Sequence, residues 1–305
     1  MPAMFWKLPG LGKISRIGLV PPRPDPGRSG VAIALIVRDE ARHIAEWARF
    51  HHRAGVRHFL IYDNGGSDGT IGILRDVLPE AARTVVPWRQ VLSDAWLGRE
   101  IHNQVLAYAH AASNFGGAFR WMAFIDADEF LIPRRAESIP AALAHLGEAR
   151  NLSLPWHLFG RSGHAEPPEG GVLRTYRRRA ADPMSEARGV RAFKCLVDPC
   201  HLTAVRVHAM ETDGGARTVN DRGVEADPKA RERPGFYSAD HLQLNHYYTR
   251  SETELAAKIG RGPNLQAKSP EYARKVRRTV ANIEAAEVED RAALDYLDRI
   301  GLGPC

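Results

Sequence analysis

The sequence has few cysteines and no long apolar run. Its 305 residues include only Cys195, Cys200 and Cys305, and so low and odd a number gives no disulfide framework and fits a reducing compartment. No apolar run approaches the roughly 18 residues of a membrane-spanning helix. Prolines and glycines interrupt the weakly apolar, basic N-terminus, which lacks the apolar core of a signal peptide. We therefore expect a cytoplasmic protein, with peripheral contact to the inner face of a membrane as an option for the N-terminal arm.

Acidic residues are outnumbered by basic ones. The chain has 42 Lys and Arg against 36 Asp and Glu, which gives a net charge of +6 and a sequence pI near 9.4. Basic clusters occur in RTYRRR (Arg174 to Arg179) and RKVRR (Arg274 to Arg278). They suit nucleic acid, an anionic membrane, a phosphorylated substrate or simply a solvated surface. A basic RNA-binding module would interleave aromatic and basic residues, and RTYRRR is the only such stretch.

The chain divides into three parts by composition. Residues 1–30 form an N-terminal arm and a linker, because PPRPDPGRSG is rich in proline and glycine. Residues 31–265 carry the regular apolar patterns of a folded domain. Residues 266–305 form a C-terminal segment that reads as helical and charged.

Strand and helix patterns alternate in the first half of the main domain. VAIALIV, HFLIY, TVVPW and WMAFI are short apolar runs typical of buried strands. Helical spacing follows the first three runs, from about Glu40, Thr70 and Gly98, and the third of these helices extends to about Ala112. This alternation predicts βαβ units, so we expect an α/β fold with a Rossmann-like, mostly parallel sheet flanked by helices. After Pro133 the pattern becomes less regular.

Polar clusters follow three of these strands. Arg38-Asp39, Asp63-Asn64 and Asp126-Ala127-Asp128 all fall at predicted carboxyl ends. Ligands of parallel sheets bind beyond these ends, so the three clusters should meet at one rim.

The acidic cluster in WMAFIDADEF predicts a bound cation. Asp126 and Asp128 are two apart, so in an extended strand their side chains point the same way. Two carboxylates so close favour protonation of one of them unless a cation is present. Mg²⁺ and Mn²⁺ prefer oxygen ligands, often one or two carboxylates together with substrate phosphates. An acidic turn or helix N-cap is the alternative interpretation.

The sequence resembles glycosyltransferases of the GT-A fold, in particular the family 2 and family 92 (DUF23-like) group. The matching segments are IVRDEARHIAEWARFHHRAGVRHFLIYDNGGSDGT, WMAFIDADEFLIP, WHLFGRSGH and NHYYTRSETELAAKIGRG. They appear in the family's order between Val31 and Gly262. The resemblance implies a GT-A fold whose less regular half faces the acceptor.

The same resemblance implies a donor site and a reaction. A hexose such as galactose or glucose would pass, with inversion, from a UDP-sugar to a hydroxyl of a carbohydrate or glycolipid acceptor in surface polysaccharide or glycoconjugate synthesis. Mn²⁺ or Mg²⁺ would act as a Lewis acid on the diphosphate. The implied nucleoside contacts are Arg38, Asp39, Glu40 and Asp63, and the implied metal ligands are Asp126 and Asp128, with Asp126 also reaching the donor.

Further candidates each have an ordinary structural alternative. Arg99 and Asn103, one turn apart on a predicted helix, would reach the nucleotide or simply face solvent. Trp156 would offer its ring to a sugar or pack in the core. Lys258 and Arg261 would clamp phosphate or lie on the surface.

The remaining candidates are a catalytic base and further metal ligands. His164 or Glu166, in a glycine-bounded loop, would be the base that takes the acceptor's proton. His246 would be a third metal ligand, with His208 as second choice, or either would be structural. A minor alternative is structural zinc on Cys195, Cys200, His201 and His208.

Two other functions compete with sugar transfer. A nucleotidyltransferase also uses paired carboxylates and metals, but it should carry a glycine-rich triphosphate loop, and VRDEARH contains no glycine. An RNA-binding module is disfavoured by an acidic rim, which repels nucleic acid, so we expect no nucleic-acid partner.

Overall fold

The structure is a computed structural model that describes residues 12–262 and 270–303. None of the helices within these residues is long and apolar enough to cross a membrane. The strands are β1 Ile17–Gly18, β2 Val31–Val37, β3 Val56–Asp63, β4 Arg83–Pro87, β5 Trp121–Phe124, β6 Glu129–Pro133, β7 Asn151–Leu158, β8 Arg178–Ala180, β9 Phe193–Val197, β10 Leu202–Val205, β11 Met210–Thr212, β12 Thr218–Val219, β13 Glu225–Ala226, β14 Leu242–His246 and β15 Glu287–Glu289. The α-helices are α1 Ala41–Arg53, α2 Thr70–Val77, α3 Asn103–Phe115, α4 Ile139–Leu143, α5 Val172–Thr175, α6 Glu252–Arg261, α7 Pro270–Glu284 and α8 Ala292–Arg299.

A ten-stranded sheet forms the centre of the molecule. Eight strands lie in the order β13-β12-β7-β9-β5-β2-β3-β4, and β14 joins β7 to β6. The strands β4, β3, β2 and β5 are parallel to one another, while β9 runs antiparallel between β5 and β7. This sheet confirms the predicted α/β class and its mostly parallel, helix-flanked sheet.

Alternate residues of β2 enter two different cores. Val31, Ile33 and Leu35 belong to the core that α1 covers, while Ala32 and Ala34 belong to the core that α3 covers. Side chains alternate across a strand, so a continuous apolar run is what a strand buried on both faces requires. Burial of both faces fixes β2, and its carboxyl end therefore has a fixed position.

The helix predicted from Gly98 begins later. Residues before α3 form a tight turn, in which Ser93 bridges to Glu100 and the Asp94 carboxylate accepts hydrogen bonds from the next backbone amides. Gly98 has a φ of +62°, which a helix does not allow. The prediction was wrong because this capped turn satisfies the backbone before Asn103.

Described residues before β2 and after α6 pack on the main domain. Ile17 and Gly18 pair with β10, and Arg28 holds Asp198 through two hydrogen bonds. The C-terminal segment is not one helix, because β15 separates α7 from α8 and pairs with β8. The predicted boundary at 265/266 lies outside the described residues, as do residues 1–11 of the arm that we predicted to contact a membrane.

Candidate active site

A cleft of about 460 Å³ opens at the carboxyl ends of β2, β3 and β5. This is the edge of a parallel sheet at which ligands bind. Its walls also include residues of β7, β14 and α6. The predicted site residues that line the cleft are Arg38, Glu40, Asn103, Asp126, Asp128, Trp156, His246 and Lys258.

Three predicted nucleotide contacts do not line this cleft. Asp39 lies in an adjoining cavity, where its carboxylate accepts a hydrogen bond from the Ser67 amide. Asp63 caps the turn after β3 by accepting from the Gly65 amide. Arg99 precedes α3 and donates to the Gly12 carbonyl, so it does not share a helix face with Asn103.

The predicted bases also lie elsewhere. His164 packs its ring against Tyr176, and Glu166 accepts a hydrogen bond from the Thr253 hydroxyl. Neither lines the cleft, because the loop that carries them is tied back to α6 by backbone hydrogen bonds. Arg261 ends α6, and its side chain is outside the part of the chain that the structure describes.

Two asparagines line the cleft where β3 ends and α3 begins. Asn64, which follows β3, accepts a hydrogen bond of 3.0 Å from the amide of Asn103 at the start of α3. The adjacent Gln104 donates to Asp126 Oδ1 at 2.6 Å and to the Tyr108 hydroxyl. Amide side chains that donate and accept suit the edge of a nucleobase.

Asp126 forms an ion pair with a buried lysine. Lys194, a fully buried residue of β9, places its Nζ 2.8 Å from Asp126 Oδ2. Burial lowers the pKa of the Lys194 ammonium, but Asp126 and Glu129 overcome this effect and raise it well above its usual value. The lysine is therefore charged at neutral pH.

Asp128 faces the cleft beside His246 and Lys258. Its Oδ2 lies 3.4 Å from His246 Nε2 and 3.3 Å from Lys258 Nζ. Burial raises the pKa of the Asp128 carboxyl, but His246 and Lys258 outweigh it and hold that pKa well below its usual range. Lys258 also donates to the Tyr248 carbonyl and stacks over the Tyr248 ring.

An adjoining cavity of about 250 Å³ shares Glu40, Asp128 and Lys258 with the cleft. It is closed by Arg250, which donates to Glu40 Oε2 at 3.1 Å. Arg250 and Asp39, which both line this cavity, have positive φ angles of 53° and 54°. Such strained backbone concentrates at functional sites.

The site fits one divalent cation held by a pair of side chains. Asp128 Oδ2 and His246 Nε2 are 3.4 Å apart, close to the roughly 3 Å between neighbouring ligands of one Mg²⁺ or Mn²⁺ ion. Asp126 faces Lys194 instead. No three His, Cys, Asp or Glu side chains in residues 12–262 and 270–303 are arranged to hold a metal. Of the three predicted ligands, only Asp128 and His246 therefore lie together in the described residues, and metal binding itself stays a prediction.

The same finding removes the zinc alternative from the described residues. Cys195 is buried in β9 beside the Ser153 hydroxyl. His201 pairs with Asp213, and His208 lines the cleft. The close spacing in sequence does not bring these side chains together.

Three residues of the site were not among the predicted site residues. Lys194 is a single lysine in the apolar run VRAFKCLV, and Tyr248 and Arg250 lie within the matched segment NHYYTRSETELAAKIGRG without having been given a role. Their positions depend on strand pairing, which brings β9 beside β5 and β14 beside β7. A lysine in a strand buried on both faces was the one available clue, since unpaired lysines are almost never buried.

Comparison with known proteins settles the family. The model of glycosyltransferase family 92 matches residues 30–274, which is most of the chain. The chain belongs to glycosyltransferase family 92. This membership confirms the resemblance that the sequence motifs indicated.

Similar proteins from plants carry the same family description. A family 92 protein of Ricinus communis is 27% identical over 217 residues, which are 66% of this chain and 36% of that protein. One of Oryza sativa subsp. japonica is 29% identical over 162 residues, 50% of this chain and 25% of that protein. The chain therefore spans about a third or less of these relatives' length.

A solved structure shows a distant similarity. It is S. aureus TarS, residues 1–349, in complex with UDP, and it is 11% identical with a TM-score of 0.31. The similar region covers 56% of this chain and 47% of that one.

Proposed function

We propose that this family 92 glycosyltransferase transfers a sugar from a nucleotide-sugar, specifically a UDP-sugar, to an acceptor hydroxyl. The observation that carries this proposal is the order of groups along one cleft. Asn64 follows β3 and contacts Asn103, Asp128 follows β5 and contacts Lys258, and Trp156 lies in β7; in the sheet, β5 lies between β3 and β7. These groups match, in order, a nucleobase, a diphosphate and a sugar ring.

The middle of the cleft suits an anionic diphosphate. Lys258 supplies a partly exposed ammonium group, and Arg250 supplies a guanidinium group in the adjoining cavity. Asp128 and His246 would hold the Mn²⁺ or Mg²⁺ ion. When bound, that ion would stabilise the negative charge that builds up on the leaving diphosphate.

His208 replaces His164 and Glu166 as the proposed base. His208 lines the cleft, and its Nδ1 donates to the Phe193 carbonyl, which leaves Nε2 to accept a proton. Burial lowers its pKa to about 4, so the imidazole is neutral at pH 7. In the inverting reaction, the acceptor oxygen bonds to the anomeric carbon, the bond to the diphosphate breaks, and His208 takes the hydroxyl proton.

The finer assignments come from the family resemblance. They are a hexose such as galactose or glucose as the sugar, and a carbohydrate or glycolipid of surface polysaccharide or glycoconjugate synthesis as the acceptor.

The test is UDP release from a panel of UDP-sugars with mixed saccharide acceptors, in Mn²⁺ and in EDTA. We expect release with one UDP-sugar, loss in EDTA, and a loss of about 100-fold in Asp128→Asn. Asp76→Asn, an exposed carboxylate of α2, is the matched control and should keep full activity. Release of pyrophosphate from a nucleoside triphosphate instead would show a nucleotidyltransferase and overturn the proposal.

A further inference from the structure

Beneath the floor of the cleft lies a lysine that solvent does not reach. The Lys194 side chain has no exposed area, and its Nζ is 2.8 Å from Asp126 Oδ2 and 3.5 Å from Glu129 Oε2. A buried ammonium group is costly unless it is paired with carboxylates. Lys194 therefore has a fixed position, unlike Lys258, whose side chain is one-quarter exposed.

The two carboxylates that contact Lys194, Asp126 and Glu129, also form hydrogen bonds with side chains that line the cleft. Asp126 is one-third exposed, and its Oδ1 also accepts from Gln104. Glu129 is fully buried, and its Oε1 accepts from the Trp156 indole at 2.6 Å. Its Oε2 accepts from the Asp126 backbone amide at 2.8 Å. One ammonium group thus sits at the centre of the contacts that orient Asp126 and Trp156.

The charge of the cluster depends on this lysine. Three carboxylates, Asp126, Asp128 and Glu129, face two ammonium groups, Lys194 and Lys258. Without Lys194, the adjacent carboxylates of Asp126 and Glu129 would have no ammonium group between them, and both would lose the partner that fixes their positions. Movement of either carboxylate would alter the surface that the donor meets.

We propose that Lys194 is a positioning residue of the transfer site, an inference that rests on the proposed function. Its ammonium group holds the Asp126 carboxylate at the wall of the cleft, where the remaining lone pairs can accept from a hydroxyl of the donor. Through Glu129 it also fixes the Trp156 indole. Lys194 touches neither donor nor ion and acts only through these two side chains.

A purely structural role for Lys194 makes a different prediction. If the lysine only neutralises buried charge, its loss lowers stability but leaves the donor's affinity unchanged in the protein that remains folded. If it positions Asp126, its loss weakens binding even where stability is restored. Lys194→Met removes the charge, Lys194→Arg keeps it, and Lys194→Met with Glu129→Gln removes the buried charge imbalance.

The experiment measures UDP affinity by calorimetry, with and without Mn²⁺, and melting temperature for each variant. We expect Lys194→Met to weaken UDP binding by at least about tenfold, as loss of an oriented charged acceptor does. Lys194→Arg should recover most of the affinity. The double variant should recover melting temperature but not affinity. Lys229→Met, at an exposed lysine, is the control and should match the wild type.

The outcomes separate this inference from the proposed function. Wild-type affinity in Lys194→Met, or in the double variant if the single one does not fold, overturns the positioning role and leaves sugar transfer intact. Failure of the wild-type protein to bind UDP in either condition overturns the proposed donor and, with it, this inference.

Discussion

Glu129 is fully buried, yet three of its contacts reach the cleft. It accepts from the Trp156 indole and the Asp126 amide, and its Oε1 lies 3.7 Å from His246 Nδ1. Burial and the neighbouring carboxylates raise its pKa to about 7, while Lys194 and His246 oppose that rise. At the residue scale, the site is a hydrogen-bond and ion-pair network in which buried charged side chains fix the orientation of the side chains that line the cleft.

Substitution of Gln104 tests this network. Gln104→Ala removes the amide that donates a hydrogen bond to Asp126 Oδ1. We therefore expect the KM for the nucleotide-sugar to rise several-fold, by about the effect of one charged hydrogen bond, with kcat less affected. Steady-state kinetics measures KM and kcat separately. Asn114→Ala, on an exposed part of the same helix α3, should leave both constants unchanged, and an equal effect in both variants would contradict the assignment.

His208 tests the proposed base. His208→Ala should lower kcat by about 100-fold or more because general base catalysis typically contributes that much, while UDP affinity stays near the wild-type value. Single-turnover kinetics measures the rate of transfer, and calorimetry measures the UDP affinity. His201→Ala, at a histidine that pairs with Asp213 away from the cleft, should keep its rate. Retained turnover in His208→Ala would remove the histidine from the mechanism.

Site residues within recognisable sequence motifs were predictable, whereas those whose position depends on strand pairing were not. Asp128, His246 and Lys258 were predicted from the acidic pair and the matched NHYYTRSETELAAKIG segment, and they meet at one point of the cleft. Lys194 was missed because only the antiparallel placement of β9 beside β5 brings it under Asp126. His164 was misplaced because hydrogen bonds hold its loop against α6 rather than over the site.

At the element scale, α6 is the part of the site with the clearest local stabilisation. Ser251 caps it by accepting from the Glu254 amide, and the Glu254 side chain returns a contact to the Ser251 amide. This capping box fixes the start of the helix that carries Lys258 to Asp128. The cap therefore links the stability of α6 to the position of Lys258 beside Asp128.

Loss of this cap should affect both stability and binding. We expect Ser251→Ala to lower the free energy of unfolding by about 1 kcal/mol and to weaken UDP binding, because α6 then frays at the site. Ser138→Ala removes the N-cap of α4, which is remote from the cleft, and should cost similar stability without changing UDP affinity. Denaturant unfolding and calorimetry give the two values. Unchanged UDP affinity in Ser251→Ala would contradict the link.

Glu254, in α6, makes the stability of the protein depend on pH. Burial raises the pKa of this carboxyl, but hydrogen bonds from His43 and Ser251 prevail and lower it from 4.5 to about 2. Because the folded pKa is depressed, the stabilisation is complete above the unfolded value of 4.5 and is lost as pH falls toward 2. The stability gap between wild type and Glu254→Gln should therefore narrow from about pH 6 to about pH 2.5, and a constant gap would contradict this.

Element prediction succeeded where apolar runs were continuous and failed where side chains capped the backbone. β2, β3, β5 and α1 lie within two residues of their predicted bounds. The start of α3 was misplaced by five residues because Asp94 and Gly98 form a turn first. The order of the strands after Pro133 was not predictable, since β9 and β14 pair with strands distant in sequence.

In the molecule as a whole, the described residues before β2, residues 12–30, pack on the folded body. β1 pairs with β10, and the two terminal nitrogens of Arg28 donate hydrogen bonds to Asp198. Asp198 is almost fully buried and also accepts from Arg120. This part of the predicted arm therefore stabilises the folded domain.

Arg28→Ala should destabilise the protein more than loss of an exposed ion pair. We expect a cost of about 2 kcal/mol, because a bidentate, nearly buried carboxylate loses its main partner. Arg217→Ala breaks the exposed pair with Glu225 and should cost less than about 1 kcal/mol. Chemical denaturation of both variants makes the comparison. Equal costs would show that residues 25–29 are not held as the structure indicates.

We propose a nucleotide site that a divalent ion at Asp128 and His246 completes. The most direct test is the melting temperature with UDP, GDP and CDP, each with and without Mn²⁺, for the wild type and for Asp128→Asn. We expect a rise with UDP plus Mn²⁺ that exceeds every other condition and is absent in Asp128→Asn. No rise with any nucleotide, or an equal rise in Asp128→Asn, would contradict it.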